Sequence, residues 1–240
     1  MSGHSKWATT KRAKAVVDAK RGAAFTKFSR LISLAAKAGG DPETNFQLRD
    51  AIDKARGINM PKDNIERAIK RGTGEDGGDT IEELVYEGMG PLGIQFVIRV
   101  LTDNRNRSAA NIRHLLAKHG GSLGAVLWNF EQKSVFLISR EAFSALKKDY
   151  EEFFLEAIEA GFDDIINEED GLTLYGSSAD FAKLKQWLVD INLSLESSEI
   201  EFIAKEKIKL NEADKKKIEA FIEALEEDDD IRDYASNLDD

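Results

Sequence analysis

The chain has 240 residues, 42% hydrophobic and 32% charged, with no Cys and a formal net charge of −10. That length leaves room for one large domain or two to three small ones, and the apolar fraction is enough for a buried core. The missing Cys excludes disulfides, thiolate zinc sites and cysteine nucleophiles and fits a reducing compartment, and no apolar run approaches the length of a membrane span.

The charge is unevenly placed. Residues 1–74 hold sixteen Lys/Arg against seven Asp/Glu, whereas residues 75–240 hold eighteen against thirty-seven. A basic head points to a polyanion partner, and an acidic body repels the same polyanion, so binding should be oriented. The opening MSGHSKWATTKRAKAVVDAKRG lacks the apolar core of a secretory signal. It shares the basic composition of a mitochondrial transit peptide but continues without a break into helical pattern.

Thr9 to Gly22 reads as a weakly amphipathic, very basic helix. From Ala23 to Ala38, Phe25, Phe28, Leu31, Ile32, Ala35 and Ala38 recur at three- and four-residue steps, and Gly39-Gly40 ends that helix. A third helix runs from about Thr44 to Arg56 with Phe46, Leu48, Ile52 and Ala55 as its apolar face. Pro61 starts a short fourth through Ile65, Ala68 and Ile69. The head is therefore a small helical bundle, and RGTGEDGGDT (71–80) reads as a linker.

Beyond it the period changes. Leu84–Met89 and Ile94–Leu101 read as a β-hairpin, Ser108–Lys118 as a helix closed by Gly120-Gly121, and Gly124–Phe130 as a third strand. From Ser134 the order is strand, long helix (about 141–160), strand (DDIIN), strand (LTLYG), helix (about 179–190) and strand (about 197–204). That is βαββαβ, a ferredoxin-like order. A helix near 212–227 follows, with Asn211 as N-cap and Ile218, Phe221, Ile222 and Leu225 on its apolar face. By composition the end, EEDDDIRDYASNLDD, reads as a disordered tail.

GMGPLG (88–93) satisfies G-x-G-x-x-G, but the dinucleotide fingerprint must open a helix, and here strand-like IQFVIRV follows. It reads as a hairpin turn. His114 and His119 are five apart, not the four that place two imidazoles on one helix face for zinc. EEDDD (226–230) lacks the spacing of a calcium loop. No catalytic residue, metal site or cofactor is expected.

The basic features carry more. Lys6, Lys11, Arg12, Lys14, Lys20 and Arg21, joined by Lys27 and Arg30, would neutralise phosphates and release counterions without sequence specificity. Trp7 could stack on an unpaired base, or serve only as a staple on a solvated Lys-rich helix. In TDNRNRS (102–108), Arg105 and Arg107 flank a helix start, where free N–H groups favour anions. Helix capping by Asp103, Asn104 or Ser108 plus ordinary surface charge accounts for the same stretch equally well.

GHSKW (3–7), DAKRG (18–22), AAKAGGDPETN (35–45), NMP followed by I-x-R-A-I-x-x-G (59–72), YEGMGPLG (86–93), TDNRNRS (102–108) and DDDIRDYASN (228–237) together resemble the YebC family. These are bacterial proteins with mitochondrial relatives that activate translation of a cytochrome oxidase subunit. The resemblance implies an α+β multidomain fold: an N-terminal helical bundle (1–74), a discontinuous middle α/β domain (80–132 plus 205–240) and an inserted ferredoxin-like domain (133–204). It also implies that IRDYAS is a returning strand rather than a free tail. GGSLGAVLWNF (120–130) departs from the Gly/Ser-rich loop of many relatives, and Thr9-Thr10 stands where they often carry Asn.

Family members are described as DNA-binding transcriptional regulators, and others look like ribosomal translation factors, including relief of stalling at proline-rich stretches. The first expectation is a cytoplasmic, monomeric, non-enzymatic factor acting in translation through ribosomal RNA. A DNA-binding transcriptional regulator is the alternative, although no bundle helix carries a distinctive Arg/Asn/Gln set for base edges. A third reading makes the acidic body a protein-binding adaptor.

Overall fold

The computed structural model describes residues 21–77 and 80–239. The helix expected over Thr9–Gly22 lies outside the described residues except for Arg21 and Gly22, and Lys6, Trp7, Lys11, Arg12, Lys14 and Lys20 all lie outside them. The described chain forms two compact units. One holds 21–126 and 208–239, and the other holds Leu127–Lys207. Both mix helices with antiparallel sheet.

Three helices open the first unit: α1 (Arg21–Ala36), α2 (Phe46–Gly57) and α3 (Lys62–Thr73). Asn45 starts α2 because its side chain accepts from Leu48 N at 3.1 Å. The same side chain donates to Ala35 O and Gly39 O, both at 2.8 Å, so one residue caps α2 and ties down the end of α1. Ile32, Ala36, Leu48, Ile52, Ala55, Met60, Ile65 and Ala68 form the shared core. Ser33 Oγ donates to Ala68 O at 2.8 Å, and a Cβ on Gly72 would stand 2.3 Å from Ser33 O. That glycine lets α3 close on α1. Phe46, expected on the apolar face, is 54% exposed at the first position of α2. Helix α3 runs to Thr73, into the expected linker, and stops at Gly74 with φ 82°.

The sheet follows. β1 (Glu82–Met89) and β2 (Gln95–Thr102) pair antiparallel through a turn at Pro91–Gly93, so GMGPLG is a hairpin turn. Helix α4 (Arg105–Lys118) leads to a two-residue β3 (Ser122–Leu123) beside β1. The strand expected over 124–130 is replaced by this short β3 and a 3₁₀ turn at Leu127–Asn129. Gly121 explains the tight return, since a Cβ there would lie 2.2 Å from Met89 O.

The second unit runs β4 (Phe130–Ser139), α5 (Arg140–Ala145), α6 (Tyr150–Ala160), β5 (Phe162–Glu168), β6 (Gly171–Ser177), α7 (Phe181–Asp190) and β7 (Ser197–Ala204). Its sheet order is β5-β6-β4-β7, every pair antiparallel, a split β-α-β arrangement. The single long helix expected over 141–160 is two. Lys147 takes φ 53°, which no α-helix accommodates, and Asp149 then caps α6. Phe136, Ile138, Phe153, Leu172, Leu174, Leu184 and Leu188 fill the core beneath these helices.

The chain re-enters the first unit with β8 (Ile208–Lys209), α8 (Glu212–Glu227), β9 (Ile231–Ser236) and β10 (Leu238–Asp239). Asn211 caps α8, accepting from Asp214 N at 2.9 Å. β9 lies antiparallel to β2, from Phe96 opposite Ser236 to Val100 opposite Ile231. The acidic end is thus a sheet strand, completing the order β3-β1-β2-β9. Composition misleads there because the carboxylates of 226–230 precede the strand, and IRDYAS supplies the backbone pairing. α4 and α8 cover one core with Phe96, Ile98, Val100, Ile112, Leu116, Phe221 and Leu225, where Phe96 meets Phe221 edge-on at 4.9 Å.

Candidate nucleic-acid interface

The TDNRNRS stretch is the junction between β2 and α4. Asn104 sits in extended backbone and accepts from Arg107 N at 3.0 Å, which caps α4. Thr102 Oγ1 accepts from Asn104 N at 3.0 Å, and Tyr86 Oη lies 2.8 Å from Ser108 Oγ. Capping and locking are therefore real roles of this stretch.

The two arginines expected to grip phosphate already hold carboxylates. Arg105 makes a fork on Glu82, with both N–H···O distances 2.6 Å. That hydrogen bond holds the Glu82 carboxyl below its usual range and raises the Arg105 guanidinium. Arg107 donates to Asp103 at 2.7 Å and lies 3.7 Å from Asp230. Partial burial works against the charged form of Asp103, but Arg107 and then Arg71, 3.0 Å away, still bring its carboxyl down. Arg105 is 69% and Arg107 48% exposed, so each keeps an open side toward solvent.

Arg30 is more committed. It pairs with Asp230 at 2.7 Å and donates to Asp229 O, with side-chain exposures of 15% and 10% for the pair. The EEDDD run thus ends in a carboxylate clamp on α1. Burial pushes the Asp228 carboxyl up, with Asp230 and Asp229 adding repulsion. Lys27 is half-buried on α1, and Arg21 begins that helix. The structure therefore gathers Arg30 and Arg107 around Asp230 and leaves Arg105 on Glu82.

The bundle's exposed cations are partly neutralised by their own helices: Lys54 by Asp50 (3.2 Å), Arg56 by Asp53 (3.2 Å) and Lys62 by Glu66 (3.4 Å). Helix α4 differs. Its sequence RNRSAANIRHLLAK contains no Asp or Glu. It buries Ser108, Ile112 and Leu116 and turns the opposite face to solvent. At 100° per residue, exposed Ala110 and Ala117 form the centre of that face. Arg107, Asn111, His114 and Lys118 line one side, and Asn106 and Arg113 the other. Asn106, Asn111, Arg113, His114 and Lys118 make no side-chain hydrogen bond or ion pair among the described residues. A helix of 14 residues spans about 21 Å, and a low alanine crest lets backbone and flanking donors approach a surface together.

The sequence reading missed Asn106, Asn111 and His114. The available signal was an acid-free stretch inside an acidic region, with neutral amide donors placed among cations.

Two family profiles match this chain: the TACO1/YebC protein N-terminal domain over residues 5–75, and the TACO1/YebC second and third domain over residues 81–238. The chain belongs to the TACO1/YebC family. A relative from Halothermothrix orenii is 43% identical, covering 100% of this chain and 95% of its own, and one from Treponema denticola is 46% identical, covering 99% and 96%. Each is named a probable transcriptional regulatory protein, a regulator by name rather than an enzyme. A solved structure of a conserved hypothetical protein from Aquifex aeolicus is also similar, with a TM-score of 0.79 and 36% identity over 93% of this chain and 92% of that one. Among the described residues of this family member, no helix is long and apolar enough to cross a membrane.

Proposed function

We propose that this TACO1/YebC protein is a non-enzymatic, nucleic-acid-binding regulator of gene expression. The observation that carries the reading is α4, an acid-free helix whose exposed face sets Arg, Asn, His and Lys around an alanine crest. Cations there would neutralise phosphates, and Asn111, Arg113 and His114 are of the types that address base edges. The basic bundle of 1–74 would add affinity without sequence preference. The acidic stretch 133–204 would repel the same polyanion, which disfavours binding through that part of the chain.

Of the two polyanions, duplex DNA has the more specific support: the relatives' names point to transcription, and an α-helix of this composition suits a major groove. Ribosomal RNA, the first expectation from the sequence, is the competing proposal and rests on the charge asymmetry and the basic opening. The deciding experiment passes the full chain over random duplex DNA and, in parallel, sediments it with ribosomes at two salt concentrations. Enrichment of one duplex sequence, lost in Asn111→Ala/Arg113→Ala, establishes the DNA reading. Sedimentation with ribosomes at low salt, with no sequence enriched, establishes the RNA reading. Neither outcome together with salt-independent behaviour overturns nucleic-acid binding altogether.

A further inference from the structure

Helix α6, in the second unit, breaks the ordinary pattern of a surface helix. Phe153 and Ala157 are buried, with Tyr150 and Phe154 half-buried beside them. The opposite face should be polar. Instead its centre is Leu155, 64% exposed, with Ile158 one turn on at 39%. Glu151, Glu152 and Glu159 surround them and enter no ion pair among the described residues, whereas Glu156 is engaged by Lys148. A shallow groove of about 370 Å³ runs beside Leu155, lined by Tyr150, Glu151, Phe154 and Leu155.

Apolar side chains at the centre of an exposed face gain from being covered, and the surrounding carboxylates decide by what. A nucleic acid would bring phosphates against three carboxylates. A second copy in a two-fold contact would oppose the same carboxylates to themselves. A cationic protein segment satisfies both parts, because its apolar side chain covers Leu155 while its Lys or Arg pair with the rim. We propose that the α6 face is a docking site for a Lys/Arg-rich amphipathic protein segment. Leu155 and Ile158 take the segment's apolar side chain, with the groove at Tyr150 and Phe154 extending the seat. Glu151, Glu152 and Glu159 hold its cations. This proposal uses none of the α4 residues and stands whether or not α4 binds nucleic acid.

The test uses the full chain and a fluorescent amphipathic helical peptide of Lys and Leu as probe, with an RNA oligonucleotide and a Glu/Leu peptide as comparisons. The Lys/Leu peptide should bind, and Leu155→Gln should weaken it about tenfold. Glu151→Gln/Glu159→Gln should weaken it comparably and flatten its salt dependence. Both sites are exposed, so folding is spared, and circular dichroism confirms it. Equal binding to wild type and Leu155→Gln would reduce the effect to bulk charge and overturn the proposal. So would a dimer in sedimentation that Leu155→Gln dissolves, or RNA binding that the same substitution abolishes.

Discussion

Arg30 and Arg105 are both arginines on carboxylates, yet their surroundings give the two contacts different weight. Arg30–Asp230 is mostly shielded from water, and removing one partner strands the other. Arg30→Ala should therefore lower unfolding free energy by about 3 kcal/mol in a denaturant titration. Arg105→Ala, at an open and solvent-screened site, should shift the same titration far less. Asp103 supplies a pH signature. Its folded pKa lies below the ordinary 3.8, so the stability it contributes is present above that value and is lost as pH falls through the lower folded value. The stability difference between wild type and Asp103→Asn should thus shrink on acidification below about pH 4, as acid-unfolding curves of the two will show. Neither the Arg105–Glu82 nor the Arg30–Asp230 pairing is visible in the sequence, because Glu82 lies 23 positions from Arg105 and Asp230 comes from the far end of the chain. TDNRNRS reads the same whether its arginines are open or already held. Only the local contacts, the cap from Asn104 to Arg107 N and the Asp103–Arg107 pair four residues apart, were within reach of sequence reasoning.

At the scale of elements, local chemistry was readable and distant packing was not. The Asn211 cap, the GMGPLG turn and the helices of the bundle follow from signals within a few residues. The break of the 141–160 helix depends on Lys147 adopting φ 53°, and nothing in ALKKDY marks it strongly. The acidic terminus misleads by composition because strand β9 gains its stability from β2, more than a hundred residues earlier. Gly72 is the element-scale test. Its missing Cβ lets α3 reach Ser33 O, so Gly72→Ala should destabilise the unit by about 1–3 kcal/mol, measured by thermal or chemical unfolding. Helix α4 was located by sequence but not recognised as the acid-free face. Lys118→Ala and His114→Ala, both exposed and away from the core, should leave stability within about 0.5 kcal/mol of wild type. Under the proposed function, their effect should appear in nucleic-acid affinity instead.

For the whole molecule, the division of charge organises everything else. A basic bundle shares a compact unit with α4, and the other unit carries an acidic, partly apolar helix. Such a molecule should meet nucleic acid with one part and protein with another. The most direct measurement is the affinity of the full chain for duplex DNA and for RNA across a salt series, repeated with Arg113→Ala/Lys118→Ala. The expected result is a steep linear fall of log affinity with log salt, and a slope lower by about one for each phosphate contact the substitutions remove. An unchanged slope and unchanged affinity in the double variant would contradict the assignment of α4 as the nucleic-acid interface.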